Sequence, residues 1–224
     1  NVDAKTHKKI STGKAENKFG MSIKNFISIY KNKKKYNNLK IEAISVHIGS
    51  QILSDSPYKK TLGILFKLIK DLNIKLKYVD LGGGFGISYK KKDKIINLKN
   101  YAKLVLKFKK ILGCQIIFEP GRFLVANAGI LISKVQYIKV GQNKKFIILD
   151  AGMNDFMRPA LYDADHDIIP VKKNNKKDKT IIEFVGPICE STCKFTQYKN
   201  YQKIIEGDFV AITNVGAYGS SLSS

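Results

Sequence analysis

With 224 residues, 44% of them hydrophobic, the chain is long enough for one large domain or two small ones around a substantial core. Lysine or another polar residue interrupts every apolar run short of transmembrane length, and three irregularly spaced cysteines (Cys114, Cys189, Cys193) exclude a disulfide framework and point to a reducing, cytoplasmic compartment. The net charge of +22 invites a nucleic-acid reading, but 38 of the 40 basic residues are lysine, piled up between elements at 31–35, 90–94 and 172–179, where a lysine-rich solvated surface is the simpler account.

Residues 1–20 are polar with scattered turn formers. Apolar residues at Ile23, Phe26, Ile27 and Tyr30 predict a helix over 21–36. Alternation over 40–48 predicts a strand that ends at His-Ile-Gly-Ser-Gln (47–51). A second helix follows, with Ser54 or Ser56 as its cap and Leu62, Leu65, Phe66 and Ile69 on one face. The next strand, through Tyr78, runs into Asp-Leu-Gly-Gly-Gly-Phe-Gly (80–86). A third helix over 98–112 leads to a short strand, 115–118, ending at Glu-Pro-Gly-Arg (119–122). Strand–helix–strand–helix–strand order implies parallel pairing, with the distinctive residues at the C-terminal ends of the strands, where (β/α) barrels keep their active sites.

Past Gly129 the texture changes. Segments 130–140 and 145–150 alternate like antiparallel strands about a turn at Gly141-Gln142-Asn143, and 180–185 and 208–213 are two more strand candidates without a helix between them. The expected division is an α/β part over 1–128 and an antiparallel β domain over 129–224.

Two features carry chemistry. Four glycines in five positions at 82–86 let backbone N–H groups converge on an anion, although a tight turn or a dinucleotide loop would use the same residues. In a chain that writes lysine almost everywhere, Arg122 and Arg158 mark places where a guanidinium fork is required. Cys189 and Cys193 lack a second Cys or His pair, so no zinc site is expected. Taken singly, His47 could be a core histidine, 119–122 a salt-bridged turn and Cys189 a buried thiol.

Taken together and in order, these motifs, with Asp-Ala-Gly-Met-Asn-Asp-Phe-Met-Arg-Pro-Ala-Leu-Tyr (150–162), Gly-Pro-Ile-Cys-Glu-Ser (186–191) and Ala-Tyr-Gly (217–219), resemble the pyridoxal-phosphate-dependent decarboxylases of alanine-racemase-like fold, and among them the diaminopimelate decarboxylases. The segment 150–162 separates these from ornithine and arginine decarboxylase relatives. The resemblance implies the C-terminal portion of a (β/α)8 barrel followed by a β domain, pyridoxal 5'-phosphate as cofactor, and decarboxylation of meso-2,6-diaminopimelate to L-lysine. It implies that His47 packs on the cofactor ring, that Ser50 and Gly84 hold the phosphate, and that Glu119 pairs with the pyridine nitrogen. Gly121 and Arg122 would close the phosphate and substrate end. Arg158 and Tyr162 would grip the substrate, and Tyr218 would touch cofactor and substrate. Cys189, as proton donor, and Glu190, as reader of the distal amino group, would enter from a partner subunit, so a homodimer with shared active sites is implied.

The sequence departs from the family in two places. Cys193 stands where the family usually has Asp. None of the 38 lysines has the family's aromatic-Ala-x-Lys-Ala context for the cofactor-carrying lysine: Lys103, in Tyr101-Ala102-Lys103, follows the glycine loop, and Lys14 precedes Ala15 in a polar turn. The expectation is a fragment lacking the N-terminal part and inactive alone. The alternatives are a non-catalytic remnant, the partner chain of a split enzyme, or a decarboxylase of another basic amino acid.

Overall fold

The computed structural model describes residues 4, 18–89, 93 and 95–224; the Lys14–Ala15 pair and the lysines of the 90–94 cluster lie outside them. The chain divides into two units, Asn1–Ile87 with Lys94–Gly121, and Ser88–Asp93 with Arg122–Ser224.

In the first unit, α1 (Ile23–Lys31) starts where the Ser22 side chain accepts from the Asn25 N–H at 3.1 Å. It stops at Asn32, short of the expected 36, where the Asn32 side-chain amide donates to the Ser28 carbonyl at 2.9 Å and a 3-10 turn, Lys33–Lys35, follows. Three parallel strands come next in the order β1 (Ala43–Ser45), β2 (Tyr78–Asp80), β3 (Gln115–Ile117), in register Ile44↔Val79 and Val79↔Ile116. Each has only three residues, so the strand expected over 40–48 is shorter. At its end β2 turns: the Gly82 N–H donates to Asp80 Oδ1 at 2.8 Å, an Asx-type bond that takes the backbone out of the ladder. Helix α2 (Ser56–Asp71) joins β1 to β2, burying Tyr58, Leu62, Leu65 and Ile69. Neither expected serine caps it: Asp55 holds the cap position without a side-chain bond, Ser56 is already helical, and Pro57 supplies the fixed φ of the first turn. Helix α3 (Leu98–Leu112) joins β2 to β3 over the expected span. Asn97 caps its start and Gly113, at φ 63°, ends it.

In the second unit, a six-stranded sheet runs β6-β9-β4-β5-β7-β8. Strands β4 (Leu131–Val140) and β5 (Lys144–Leu149) form the expected antiparallel hairpin, with Val140 opposite Lys145. The first half of β4 pairs instead with β9 (Phe209–Ile212), on whose other edge lies β6 (Ile168–Pro170). Sheet residues and Phe156 form the core, with Leu149, Phe184, Val210 and Ile212 fully buried. Besides the short strand β6, two features were not expected. The β5–β7 pair (β7 is Ile181–Val185) is parallel, so the β unit is not purely antiparallel; some thirty residues separate the two strands, enough for a crossover that a hairpin could not make. Strand β8 (Lys194–Tyr198) is the other.

Candidate active site

In the first unit, the loops after β1, β2 and β3 meet at the glycine run. Gly83 donates its N–H to His47 Nδ1 at 3.3 Å, and its carbonyl accepts the Tyr58 hydroxyl at 2.9 Å. The Glu119 N–H donates to the Gly82 carbonyl at 2.9 Å. Nδ1 is thus an acceptor, which leaves Nε2 as the ring nitrogen that can donate. The loop at 47–53 is zipped to the glycine loop: Ile52 N–H donates to Gly84 O at 2.9 Å, Gly86 N–H donates to Ile52 O at 3.0 Å, and the Gln51 amide bonds both the carbonyl (2.6 Å) and N–H (3.2 Å) of Ile87. Gly84 sits at φ 91°, and a Cβ there would meet the Gly49 carbonyl oxygen, so only glycine fits. Tyr58, Phe85 and Tyr101 support the loop from below, with ring centroids 4.9–5.3 Å apart. His47 and Glu119 are exposed, which removes the core-histidine reading; Ser50 is half-buried and Gly121 exposed.

The second unit carries the two arginines. Arg158 opens the short helix α5 (Arg158–Tyr162), and Arg122 opens α4 (Arg122–Val125). Both are buried, and both reach one oxygen: Arg122 Nη1 donates to Tyr89 Oη at 2.7 Å and Arg158 Nη1 donates to it at 2.9 Å. Arg158 Nη1 also meets His166 Nε2 at 2.7 Å, and His166 Nδ1 lies 2.8 Å from the Thr213 carbonyl. A carbonyl can only accept, so Nδ1 carries the proton and Nε2 accepts from the guanidinium. Burial pushes His166 down to about 4, against a small upward pull from the Thr213 bond, so the ring is neutral at pH 7. Burial also lowers Arg158; the Tyr89 oxygen opposes this, and the Arg122 charge adds to it. Among the described residues no carboxylate pairs with Arg158, and its Nε is buried with no partner.

Tyr162 stands one turn after Arg158 on α5, on the same face. Tyr218 comes to Arg122 because its segment is stitched to the end of α4: Gly216 N–H donates to Ala126 O and Val215 N–H to Gly129 O, both at 3.1 Å. The Arg122 guanidinium lies 4.9 Å from the centre of the Tyr218 ring, whose residue holds a left-handed φ of 63°. Cys189 and Glu190 are exposed on the turn between β7 and β8, where Glu190 accepts the Thr192 hydroxyl at 2.8 Å. Cys189 is therefore not a buried thiol. Cys193, buried behind that turn, accepts the Met153 N–H on Sγ at 3.3 Å.

Sequence reasoning did not single out Tyr89 or His166. The available signal was indirect: buried arginines need acceptors, and both residues lie beside segments already marked, Tyr89 three positions after Gly86 and His166 eight after Arg158.

The pyridoxal binding domain of pyridoxal-dependent decarboxylases matches residues 1–126. The diaminopimelate decarboxylase of Aquifex aeolicus is 42% identical over 226 residues, covering 100% of this chain and 54% of that protein. The crystal structure of diaminopimelate decarboxylase from Helicobacter pylori complexed with L-lysine superposes with a TM-score of 0.89 at 41% identity, covering 100% of this chain and 56% of that one. The enzyme from M. jannaschii in co-complex with L-lysine gives 0.85 at 38% identity, with 100% and 54% covered. The chain thus spans about half the length of the relatives it matches. The glycine loop with its His47 and Glu119 neighbours lies within the matched domain, and the chain belongs to the pyridoxal-dependent decarboxylases.

Proposed function

We propose that this chain is part of a diaminopimelate decarboxylase, which converts meso-2,6-diaminopimelate to L-lysine and CO2. In this reading β1, β2 and β3 are strands of a (β/α)8 barrel, and the β unit is the domain that follows it. The observation that carries the substrate assignment is Arg158: a buried guanidinium that has, among the described residues, no carboxylate partner and no acceptor for its Nε–H. Such a group calls for an anion, and the distal carboxylate of a diacid fits a planar fork.

The residues of the first unit fit pyridoxal 5'-phosphate. The loop is glycine where a Cβ would collide, the His47 imidazole is tied to it through Nδ1, and a carboxylate is exposed at the end of β3. When bound, the cofactor supplies an electron sink for the bond pair left by departing CO2. His47 would pack on its ring, and Ser50, Gly84 and Gly121 would hold its phosphate. Glu119 would keep a proton on the ring nitrogen. Arg122, Arg158, Tyr162 and Tyr218 would hold and orient the substrate. The exposed Cys189 would deliver a proton to the substrate carbon that has lost CO2, and Glu190 would read the distal amino group. Both would do so in the site of a second subunit, which makes the working form a homodimer.

The test compares substrates in the full-length decarboxylase that carries this chain, which is the intact protein of the experiments below. A kcat/KM for meso-diaminopimelate about 100-fold or more above that for L-ornithine or L-arginine is expected, with Arg158→Gln removing most of the difference, since a paired carboxylate contributes roughly 2–3 kcal/mol. A preference for ornithine or arginine would refute the assignment.

A further inference from the structure

Arg158 is held by uncharged acceptors. A guanidinium Nη1 has two N–H groups, and both are occupied, one by Tyr89 Oη at 2.9 Å and the other by His166 Nε2 at 2.7 Å. What remains is the side carrying Nε–H and Nη2, whose parallel donors match the two oxygens of a carboxylate. The Nε on that side is the buried atom with no partner.

We propose that His166 and Tyr89 are positioning residues that fix the Arg158 guanidinium by saturating Nη1, so that its Nε–Nη2 edge is the one offered to the substrate's distal carboxylate. The proposal rests on the reading of Arg158 as the group that meets that carboxylate.

Three observations support it. First, the His166 tautomer has no freedom. With the proton on Nε2, the ring would turn an N–H toward the guanidinium and a lone pair toward the Thr213 carbonyl, two repulsive contacts at 2.7 and 2.8 Å. Second, the ring is boxed in edge-on by Tyr89 and Phe156, at centroid distances of 4.8 and 4.6 Å, so Nε2 stays where Arg158 needs it. Third, neither acceptor is a carboxylate. An aspartate or glutamate in the place of His166 would hold the guanidinium equally well but would cancel its charge, leaving an incoming carboxylate little to gain. A neutral imidazole and a phenol shared with Arg122 orient the fork and leave its charge for the ligand.

The experiment measures steady-state kinetics with meso-diaminopimelate, and competitive inhibition by pimelate, a dicarboxylate without amino groups, in the intact protein. The variants are His166→Phe, His166→Gln, Tyr89→Phe and Arg158→Gln. His166→Phe is expected to raise KM and the pimelate inhibition constant about tenfold, the scale of one hydrogen bond to a charged group. The larger part of the loss should fall on KM rather than kcat, with pyridoxal phosphate affinity unchanged. Gln, whose amide oxygen can accept where Nε2 did, should restore most of the loss. In the Arg158→Gln background His166→Phe should add little. Tyr89→Phe removes the other acceptor and tests the same idea if His166→Phe does not fold. A KM raised by Arg158→Gln but unmoved by both His166→Phe and Tyr89→Phe would overturn the positioning role and leave the substrate assignment standing. Full additivity of His166→Phe on Arg158→Gln would do the same. A KM unmoved by Arg158→Gln would overturn the assignment and the positioning role together.

Discussion

Gly83 is the point where the three strand-end loops touch, so Gly83→Ala is the sharpest local perturbation of the proposed cofactor cradle. An added Cβ would fall well inside 3.0 Å of the Glu119 carbonyl oxygen while lying at an ordinary 3.7 Å from His47 Cε1. The obstacle is backbone, which cannot rotate away, so either the glycine loop or the end of β3 must move. The bonds at stake are Gly83 N–H to His47 Nδ1, Tyr58 hydroxyl to Gly83 O, and Glu119 N–H to Gly82 O. At about 1 kcal/mol for each bond lost, with overpacking strain of about 1–3 kcal/mol, the substitution should cost roughly 2–6 kcal/mol, according to whether one bond or all three break. Because His47 and Glu119 would be displaced together, affinity for pyridoxal phosphate should fall about tenfold or more. The assay is an absorbance titration of the intact protein with pyridoxal phosphate, paired with thermal melting. Gly113→Ala serves as control: it has φ 63° but nothing within 4 Å, so it should cost only about 1 kcal/mol of backbone strain and leave cofactor affinity alone. If Gly83→Ala melted and bound cofactor like the wild type, the convergence of the three loops would not be what builds the cradle.

Two further predictions concern acid and completeness. His166 is held at about 4 by burial, below its ordinary 6.5, so between these values the unfolded chain binds the extra proton. Stability is then fully present above pH 6.5 and falls as pH drops toward 4, by about 3 kcal/mol in total. The stabilities of the wild type and of His166→Phe from urea unfolding should diverge by that amount across pH 4–7, and parallel curves would show that His166 is not the group responsible. The 224-residue polypeptide alone, supplied with pyridoxal phosphate and meso-diaminopimelate, should release no CO2 above background, since none of its 38 lysines stands in the family's cofactor-carrying context. Release of labelled CO2 without any added partner would defeat that expectation.

Much of the fold was legible because it depends on local signals. Helix α3 was readable to the residue: Asn97 and Gly113 cap it, and its apolar face recurs at helical spacing. The hairpin of β4 and β5 was readable because alternation and a Gly-Gln-Asn turn agree. Strand β1 was over-read, expected over 40–48 and formed only over Ala43–Ser45. The parallel β5–β7 pairing went unseen, because the pairing of distant strands leaves no period in the sequence, and the short strands β6 and β8 were missed as elements.

The sequence by itself determined the order of strand-end motifs, the glycine-only loop and the singular standing of Arg122 and Arg158 in a lysine-rich chain, because spacing and residue choice are written along the chain. Only the tertiary structure decided that these two arginines, 36 positions apart, share the hydroxyl of Tyr89, and that His166 faces Arg158 as a neutral acceptor. Hydrogen-bond saturation and burial are properties of packing. A residue such as His166 gains its role from the guanidinium and carbonyl on either side of its ring.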